Sequence, residues 1–325
     1  MNYKFLGKTG VQVSGLCFGT MSFGEDADEA TSGQMYRRCR DAGINFFDCA
    51  NTYAGGRSEE ILGRLIAHER EEVIITSKVY FPTGSDRNAR GANRRNIQLA
   101  VEKSLRRLNT DWIDVYFIHH FDDHTPLEET LRALDDLVRQ GKILYPGTSN
   151  FSAWQIMKAL GISQYEGLAR FAVMQPMYNL VKRQAEVEIL PLAQAEGLAV
   201  IPYSPLGGGL LTGKYAGAQA PAQARLVDNQ RYSQRYGLDW MHTTAADFAA
   251  FAREHGYSPA ALAVAWVAHH PAVTAPIIGA RNLQQLEDSL QSVDLEMTAE
   301  LYQQVSGLAP EPPLATDREE ERKGL

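Results

Sequence analysis

The chain has 325 residues, of which 44% are hydrophobic and 22% charged, and its formal net charge is −7. A chain of this length and apolar content can bury one large core, and α/β barrels commonly reach this size as a single domain. The acidic balance argues against general binding of nucleic acid or of an anionic membrane, because both need a basic field. The net negative charge still allows one local basic pocket for a phosphate-bearing cofactor.

The cysteines and the amino-terminal residues indicate the compartment. The three cysteines, Cys17, Cys39 and Cys49, are odd in number and lack the spacing of metal ligands. A reducing environment therefore fits better than a disulfide framework. No apolar segment of a signal peptide follows Met1, and no run approaches the roughly 18 apolar residues of a membrane span. We therefore expect a soluble, cytoplasmic protein.

In chain order, a short hairpin over residues 3–13 precedes eight strand-like runs that alternate with amphipathic helical stretches. The predicted strands cover residues 15–19, 45–48, 73–78, 113–119, 143–148, 172–175, 199–203 and 274–279. The predicted helices cover residues 32–42, 58–68, 92–108, 127–139, 153–160, 184–196, 245–254 and 283–292. Strict alternation indicates parallel strands with crossover helices, and eight such pairs close most naturally into a (β/α)8 TIM barrel. The first strand is not followed by G-x-G-x-x-G, which disfavours a Rossmann fold.

Two segments depart from this alternation. Residues 210–240 are rich in Ala, Gly, Gln and Arg and predict a long loop after strand 7, at the catalytic end of the barrel. Residues 310–325 are rich in proline and charge and predict a tail that is mobile or lies over the surface. We expect residues 1–325 to form a single domain.

A set of polar side chains stands at the ends of the predicted strands, where the active site of a (β/α)8 barrel lies. Asp48, Lys78 and His119 end the second, third and fourth strands, and Tyr53 follows Asp48 in the loop. Each has an ordinary alternative: Asp48 as a cap, Lys78 as a solvated strand end, His119 as a satisfied histidine, and Tyr53 as a loop aromatic. Their convergence on one mouth favours a catalytic site.

These four residue types suit proton transfer to a carbonyl oxygen. A tyrosine, with a pKa near 10, is a poor acid at neutral pH, and the ammonium of Lys78 beside Tyr53 would lower that pKa. Asp48 would hold Lys78 charged and oriented, and His119 would hydrogen-bond the substrate oxygen. The hydride has to come from a cofactor, because no side chain supplies one.

The motifs around these residues resemble those of a known family. The sequence at residues 45–53, NFFDCANTY, followed by Gly55, Ser58-Glu59 and Leu62-Gly63, is similar to the signature of the aldo-keto reductases. Further motifs of that family follow in order: Gly19-Thr20-Met21, Thr76-Ser77-Lys78, residues 114–119, residues 147–150, Gln175, residues 203–206 and residues 278–280. The resemblance extends to about residue 295. It is greater to the bacterial group related to the voltage-gated potassium-channel β subunits than to the aldose reductases.

This resemblance implies a catalytic tetrad of Asp48, Tyr53, Lys78 and His119. It also implies a nicotinamide site, to which the motif residues contribute. The nicotinamide-side residues are Gly19, Thr20, Met21, Asp48, Ser149, Asn150, Gln175 and Tyr203. The amides can bond a carboxamide, and the tyrosine ring can stack on a flat ring. The alternatives are that Asn150 caps the following helix and that Tyr203 belongs to the core.

The glycine-rich segment after strand 7 is expected to lie along the cofactor pyrophosphate, where glycine permits close backbone approach. Its candidate residues are Ser204, Pro205, Leu206, Gly208 and Lys214. The segment is not a Walker A loop, because it lacks G-x-x-x-x-G-K-[ST]. Arg225 either closes over the cofactor or is a solvated loop arginine.

The choice between NADPH and NADH rests on residues 279–288. Arg281 stands where the last helix begins, which suits a 2′-phosphate, while Gly279 and Gln285 are expected to line the site. Asp288 either contacts the adenine or lies on the surface. Aldose reductases carry a lysine at the position of Gly279 and an arginine at that of Gln285. Both charges are absent here, so NADPH is favoured over NADH by Arg281 alone.

The segment after the catalytic histidine contains His120 and His124, which invites comparison with a metal hydrolase. Metal ligands in barrels usually come from several strand ends, so no metal is expected. His120, Phe121, Tyr80 and Phe81 are expected to line the substrate pocket instead. The leading hypothesis is an NADP(H)-dependent reductase of small aldehydes or ketones. The alternative, which the resemblance to channel β subunits permits, is a nucleotide-sensing regulatory subunit with little turnover.

Overall fold

The structure, a computed structural model, describes residues 1–215, 225–318 and 320. An antiparallel hairpin of β1 (Tyr3–Phe5) and β2 (Gln12–Ser14) precedes a sheet of eight parallel strands. These are β3 (Cys17–Gly19), β4 (Phe46–Asp48), β5 (Ile74–Val79), β6 (Ile113–Ile118), β7 (Ile143–Ser149), β8 (Val173–Gln175), β9 (Ala199–Val200) and β10 (Ile277–Ile278). Each strand pairs with the next along the chain, and β10 returns to pair with β3.

Helices cover the outside of this sheet. They are α1 (Glu29–Asp41), α2 (Arg57–Ile66), α3 (Arg94–Leu108), α4 (Leu127–Arg139), α5 (Ala153–Glu166), α6 (Ile189–Glu196), α7 (Arg225–Asp228), α8 (Gln230–Arg235), α9 (Asp239–Glu254), α10 (Pro259–His269), α11 (Leu283–Leu290) and α12 (Ala299–Ser306). Short 3₁₀ helices span Tyr53–Gly56, Arg70–Glu72, Gln184–Glu186, Gly207–Thr212 and Gln291–Val293. Within the described ranges, every helix is too short or too polar to cross a bilayer.

The sheet closes between β9 and β10, which confirms the predicted (β/α)8 barrel with its amino-terminal hairpin. The amide of Thr274 donates to the Val200 carbonyl at 2.8 Å, and the amide of Ile277 donates to the Pro202 carbonyl at 2.9 Å. A parallel bridge between Tyr203 and Ile277 continues the contact.

Both closing strands are shorter than the predicted runs 199–203 and 274–279. Pro202 and Pro276 interrupt the ladder, because proline has no amide hydrogen to donate. The runs keep their direction across the prolines, so their carboxyl ends still reach the mouth of the barrel.

The interior of the barrel is a compact apolar cluster separate from the core beneath the helices. Its buried members are Leu6, Val13, Cys17, Phe46, Val115, Phe117, Val173, Ala199, Ile201, Ala275 and Ile277. Leu6 and Val13 belong to the hairpin segment, which therefore closes the bottom of the barrel. Alternate residues of a strand share a face, so Asp48 follows Phe46 on the inner face and His119 follows Phe117. Asp48 and His119 thus belong to the top layer of the interior.

Helix α10 is absent from the predicted elements. Residues 260–267 are all buried, so the helix has no polar face and produces no amphipathic period. Ser258 caps the helix and Pro259 begins it, which is a recognisable start signal.

The segment 210–240, predicted as loop, contains α7, α8 and the first residues of α9 among the residues that the structure describes. α12 is likewise absent from the predicted elements.

Candidate active site

The four predicted catalytic residues converge at the carboxyl ends of three neighbouring strands. Asp48 is the last residue of β4, Lys78 lies near the end of β5, and His119 directly follows β6. Tyr53 begins the 3₁₀ turn after β4. Parallel pairing aligns Asp48 with Thr76 and Lys78 with Phe117, which brings these strand ends to one edge.

Lys78 is completely buried, and its ammonium is held by three oxygen atoms. Nζ donates to Oδ2 of Asp48 at 2.7 Å, to the Cys49 carbonyl at 2.7 Å and to the Tyr53 hydroxyl at 3.3 Å. Burial by itself lowers the pKa of Lys78, but the Asp48 carboxylate outweighs it and the pKa is raised. The lysine is therefore a fixed positive charge beneath the phenol, and not the solvated strand end of the alternative interpretation.

The Tyr53 hydroxyl lies at the outer end of this charged pair. Burial raises the pKa of Tyr53 to about 12, and Lys78 opposes that rise. The expected lowering by lysine is therefore present, but burial outweighs it. Tyr53 keeps its proton at neutral pH in this state.

His119 is a half-buried histidine whose hydrogen bonding is incomplete. Its Nδ1 is buried and has no partner among the described residues, which favours a site residue over the alternative of a satisfied histidine. Burial, and to a smaller extent Lys78 and His120, holds the pKa of His119 well below its usual range. The neutral ring stands edge-on to Tyr53, with 6.3 Å between ring centroids.

The predicted carboxamide-binding residues are joined to the tetrad by hydrogen bonds. Gln175 Nε2 donates to Oδ1 of Asp48 at 2.8 Å, and Ser149 Oγ donates to the Gln175 carbonyl at 3.0 Å. Asn150 Nδ2 donates to Ser149 Oγ at 3.0 Å and to the His119 carbonyl at 2.9 Å. No described residue donates to Oε1 of Gln175, so an acceptor remains for a ligand amide.

Asn150 departs from its ordinary alternative as a helix cap, whereas the structure leaves the alternative for Tyr203 open. Asn150 has a φ of 58°, and its Oδ1 accepts from the Tyr203 hydroxyl at 2.7 Å. The cap of the following helix is Ser152, in a capping box with Gln155, so Asn150 does not cap it. Tyr203 is half-buried and packs against the interior cluster, which also fits its alternative as a core residue.

The segment after β3 supports Asp48 from the other side. The amide and Oγ1 of Thr20 donate to the Asp48 carbonyl at 2.9 and 3.0 Å. A Cβ at Gly19 would lie 2.9 Å from Cγ2 of Ile277, so any larger residue there would have to displace Ile277. Met21 follows, half-buried.

Two supporting groups were not predicted from the sequence. Thr76 Oγ1 donates to Oδ1 of Asp48 at 2.7 Å, and the Cys49 carbonyl accepts from Lys78. The signal for Thr76 is its position two residues before Lys78, which puts both side chains on the inner face.

The glycine-rich segment after β9 turns sharply above the barrel. Ser204 has a φ of 60°, and Gly207, Gly208 and Gly209 all have positive φ. Pro205 is buried, Leu206 and Gly208 are half-buried, and Lys214 is exposed. A run of left-handed residues favours glycine, which accounts for the composition. The Arg225 side chain lies outside the described part of the structure.

The remaining predicted cofactor residues lie on α11 and on the segment that leads into it. Gly279 is exposed, and a Cβ there would meet no atom within 4 Å. The Arg281 amide donates to Gln285 Oε1 at 3.0 Å, and its Nε lies 3.1 Å from Oδ2 of Asp26. Asp288 accepts from Gln284 at 3.0 Å.

Aromatic side chains surround the mouth near His119. Phe81 stands edge-on to His119, with 4.8 Å between centroids, and Tyr80 packs on His120 at 5.2 Å. The ring centroids of Phe121 and Trp154 are 6.0 Å apart. Trp154, which is not among the predicted pocket residues, is 61% exposed at the start of α5. Among the described residues, no three His, Cys, Asp or Glu side chains are grouped as metal ligands would be.

The closed barrel, with a buried carboxylate–lysine pair under a tyrosine at its catalytic end, defines a barrel oxidoreductase. The model of the aldo/keto reductase family matches residues 15–309. The chain belongs to this family.

Its relatives include both oxidoreductases and channel subunits. It is 37% identical to the uncharacterized oxidoreductase YrpG of Bacillus subtilis, over 96% of this chain and 97% of that protein. It is 36% identical to a probable voltage-gated potassium channel subunit beta of Oryza sativa, over 98% of this chain and 99% of that one. It is 33% identical to the norsolorinic acid reductase stcV of Emericella nidulans, over 93% of this chain and 79% of that one.

Proposed function

We propose that this oxidoreductase reduces aldehydes or ketones to alcohols with NADPH, and that Tyr53 is the general acid. The observation that carries the proposal is the buried relay in which Asp48 holds Lys78 and Lys78 reaches the Tyr53 hydroxyl at 3.3 Å. A buried ammonium held beside a phenol suits a site in which the phenol exchanges a proton.

In this mechanism Tyr53 donates its proton to the carbonyl oxygen. The fixed ammonium of Lys78 stabilises the phenolate that forms, and Asp48 and the Cys49 carbonyl keep Lys78 in position. His119, neutral because its pKa is held low, donates a hydrogen bond to the same substrate oxygen. The reduced nicotinamide, when bound, supplies the hydride for the carbonyl carbon.

The residues present fit a nicotinamide coenzyme. Gln175 offers an acceptor that no described residue uses, Ser149 and Asn150 add a hydroxyl and an amide, and the Tyr203 ring gives a flat surface. Gly19, Thr20 and Met21 would border the same side. These groups would hold the carboxamide and orient the ring toward Tyr53.

The rest of the coenzyme would lie along the upper rim of the barrel. The turn formed by Ser204, Pro205, Leu206 and Gly208, with Lys214 beyond it, would accept the pyrophosphate, and Arg225 would close over it. Gly279, Arg281, Gln285 and Asp288 would hold the adenosine end. We assign the 2′-phosphate to Arg281, since a guanidinium binds phosphate in a fixed geometry.

The substrate would enter between the aromatic side chains near His119. Tyr80, Phe81, His120 and Phe121 contact one another or their neighbours around this opening. An aromatic rim favours flat, apolar carbonyl compounds over charged ones. The partner is therefore a small-molecule aldehyde or ketone.

A second candidate is a nucleotide-sensing subunit with little turnover. It is favoured by the similarity to a protein named as a probable potassium channel subunit beta. The complete relay of Asp48, Lys78 and Tyr53, with His119 beside it, favours the enzyme. The two candidates differ in turnover and not in coenzyme binding.

The test is a steady-state assay of the purified chain with NADPH and two seven-carbon aldehydes, benzaldehyde and heptanal, following the absorbance of the reduced coenzyme. We expect turnover with both, and a higher kcat/KM for benzaldehyde. Coenzyme binding without turnover on either aldehyde would favour the sensing subunit. Absence of binding to both NADPH and NADH would contradict the proposal.

A further inference from the structure

The loop between β3 and α1 is fastened to the start of α11. Ser22 Oγ donates to the Ala280 carbonyl at 2.6 Å, and Oδ2 of Asp26 lies 3.1 Å from Nε of Arg281. The two side chains are partly accessible, with 34% of Asp26 and 29% of Arg281 exposed. This ion pair joins two residues that are 255 positions apart in the sequence.

Arg281 is the only cationic residue in the sequence from 279 to 290. The acidic residues of that stretch are Glu287, which pairs with Arg38 of α1 at 2.5 Å, and Asp288. A 2′-phosphate bound at Arg281 would meet a guanidinium that already faces the Asp26 carboxylate.

We propose that Asp26 sets the coenzyme preference of this enzyme by competing with the coenzyme 2′-phosphate for Arg281. A phosphate at Arg281 must either displace Asp26 or remain a few ångströms from its negative charge, and both reduce the gain from binding. NADH has a neutral 2′-hydroxyl and meets neither penalty. The wild-type chain therefore discriminates only weakly between NADPH and NADH.

This inference rests on the proposed function, since it requires that the coenzyme site includes Arg281. Removing the Asp26 charge should remove this competition for the Arg281 guanidinium. We expect Asp26→Asn to tighten NADPH binding about tenfold, equivalent to about 1.4 kcal/mol, and to change NADH binding less than about twofold. Glu25→Gln, which removes an exposed neighbouring carboxylate, is the matched control and should change neither affinity.

The experiment measures Kd for NADPH and NADH by quenching of protein fluorescence in wild type, Asp26→Asn, Arg281→Gln and the double variant. The inference predicts that Asp26→Asn loses its effect on NADPH when Arg281 is also replaced. An equal change for both coenzymes would mean that Asp26 only holds the loop, and would overturn the inference. No change in the Kd of either coenzyme would also overturn the inference. The proposed function would still stand in that case, provided that the wild-type chain binds NADPH. If the wild-type chain binds neither coenzyme, both proposals are wrong.

Discussion

Gln175 Nε2 donates a hydrogen bond of 2.8 Å to Oδ1 of Asp48, whose other oxygen holds Lys78. One carboxylate thus joins a residue of the proposed carboxamide site to the cation under Tyr53. Thr76 donates to the same oxygen as Gln175, so Asp48 is fixed from several strands at once. A substitution of Gln175 should therefore also affect Lys78 and Tyr53, because Asp48 joins them.

Gln175→Leu tests this link. The variant removes a hydrogen bond to a buried carboxylate, which typically contributes about 1.5–3 kcal/mol to stability. It should lower the free energy of unfolding in urea by that amount and weaken binding of both coenzymes. Gln194→Leu, at an exposed position of α6, should do neither. Unchanged coenzyme affinity in Gln175→Leu would remove Gln175 from the proposed site.

A second prediction concerns the contribution of the Asp48–Lys78 pair to stability. Lys78→Met leaves the Asp48 carboxylate buried without its cation, which should cost about 3–5 kcal/mol in urea unfolding. The double variant Asp48→Asn/Lys78→Met removes both charges and should be more stable than Lys78→Met alone. A double variant that is less stable than Lys78→Met would show that other groups compensate the charge of the Asp48 carboxylate.

The third prediction concerns pH. Tyr53, with a pKa of about 12, stays protonated across the range from about pH 6 to about pH 10, so kcat/KM for aldehyde reduction should vary little. Alcohol oxidation needs the phenolate as base, so its kcat/KM should rise about tenfold per pH unit over the same range. His119, whose pKa is depressed, should add no inflection near pH 6.5. A marked inflection there in both directions would mean that His119 titrates.

The fourth prediction concerns the loop that carries Tyr80 and Phe81. Oδ2 of Asp122 accepts from the Ala92 amide at 2.7 Å and from Thr125 at 2.8 Å, and so ties that loop to the one after β6. Asp122→Ala should raise KM for the aldehyde several-fold while coenzyme Kd is unchanged. The control is Asp123→Ala, at an exposed neighbouring position, with wild-type KM expected. Equal effects of both variants would argue against a positioning role for Asp122.

Much of the fold was predictable because its signals are local. Alternation of strands and helices predicts the barrel, and the period of two along strands predicts that Asp48 and His119 share the inner face with Phe46 and Phe117. Helix α10 was missed because a helix buried on all sides has no amphipathic period. The closing strands were predicted too long because prolines interrupt their hydrogen bonding.

The parts of the site that could not be predicted depend on contacts between distant residues. The Asp26–Arg281 pair joins two loops at opposite ends of the sequence, and no spacing rule connects them. The raised pKa of Tyr53 results from burial, which outweighs the lowering by Lys78, and burial of a single loop residue is not readable from the sequence. Residue types at strand ends identified the catalytic candidates, whereas their electrostatic balance required the three-dimensional arrangement.

The proton-donor role of Tyr53 is tested most directly by the rate of NADPH-dependent benzaldehyde reduction by Tyr53→Phe, measured with the NADPH Kd of the same preparation. Tyr165→Phe removes the same hydroxyl from a side chain that is 88% exposed on α5 and should keep the wild-type rate. For Tyr53→Phe we expect kcat to fall about 10²–10⁴-fold, with Kd within about twofold of wild type. A variant that binds NADPH and reduces benzaldehyde at the wild-type rate would contradict the assignment of Tyr53 as the acid.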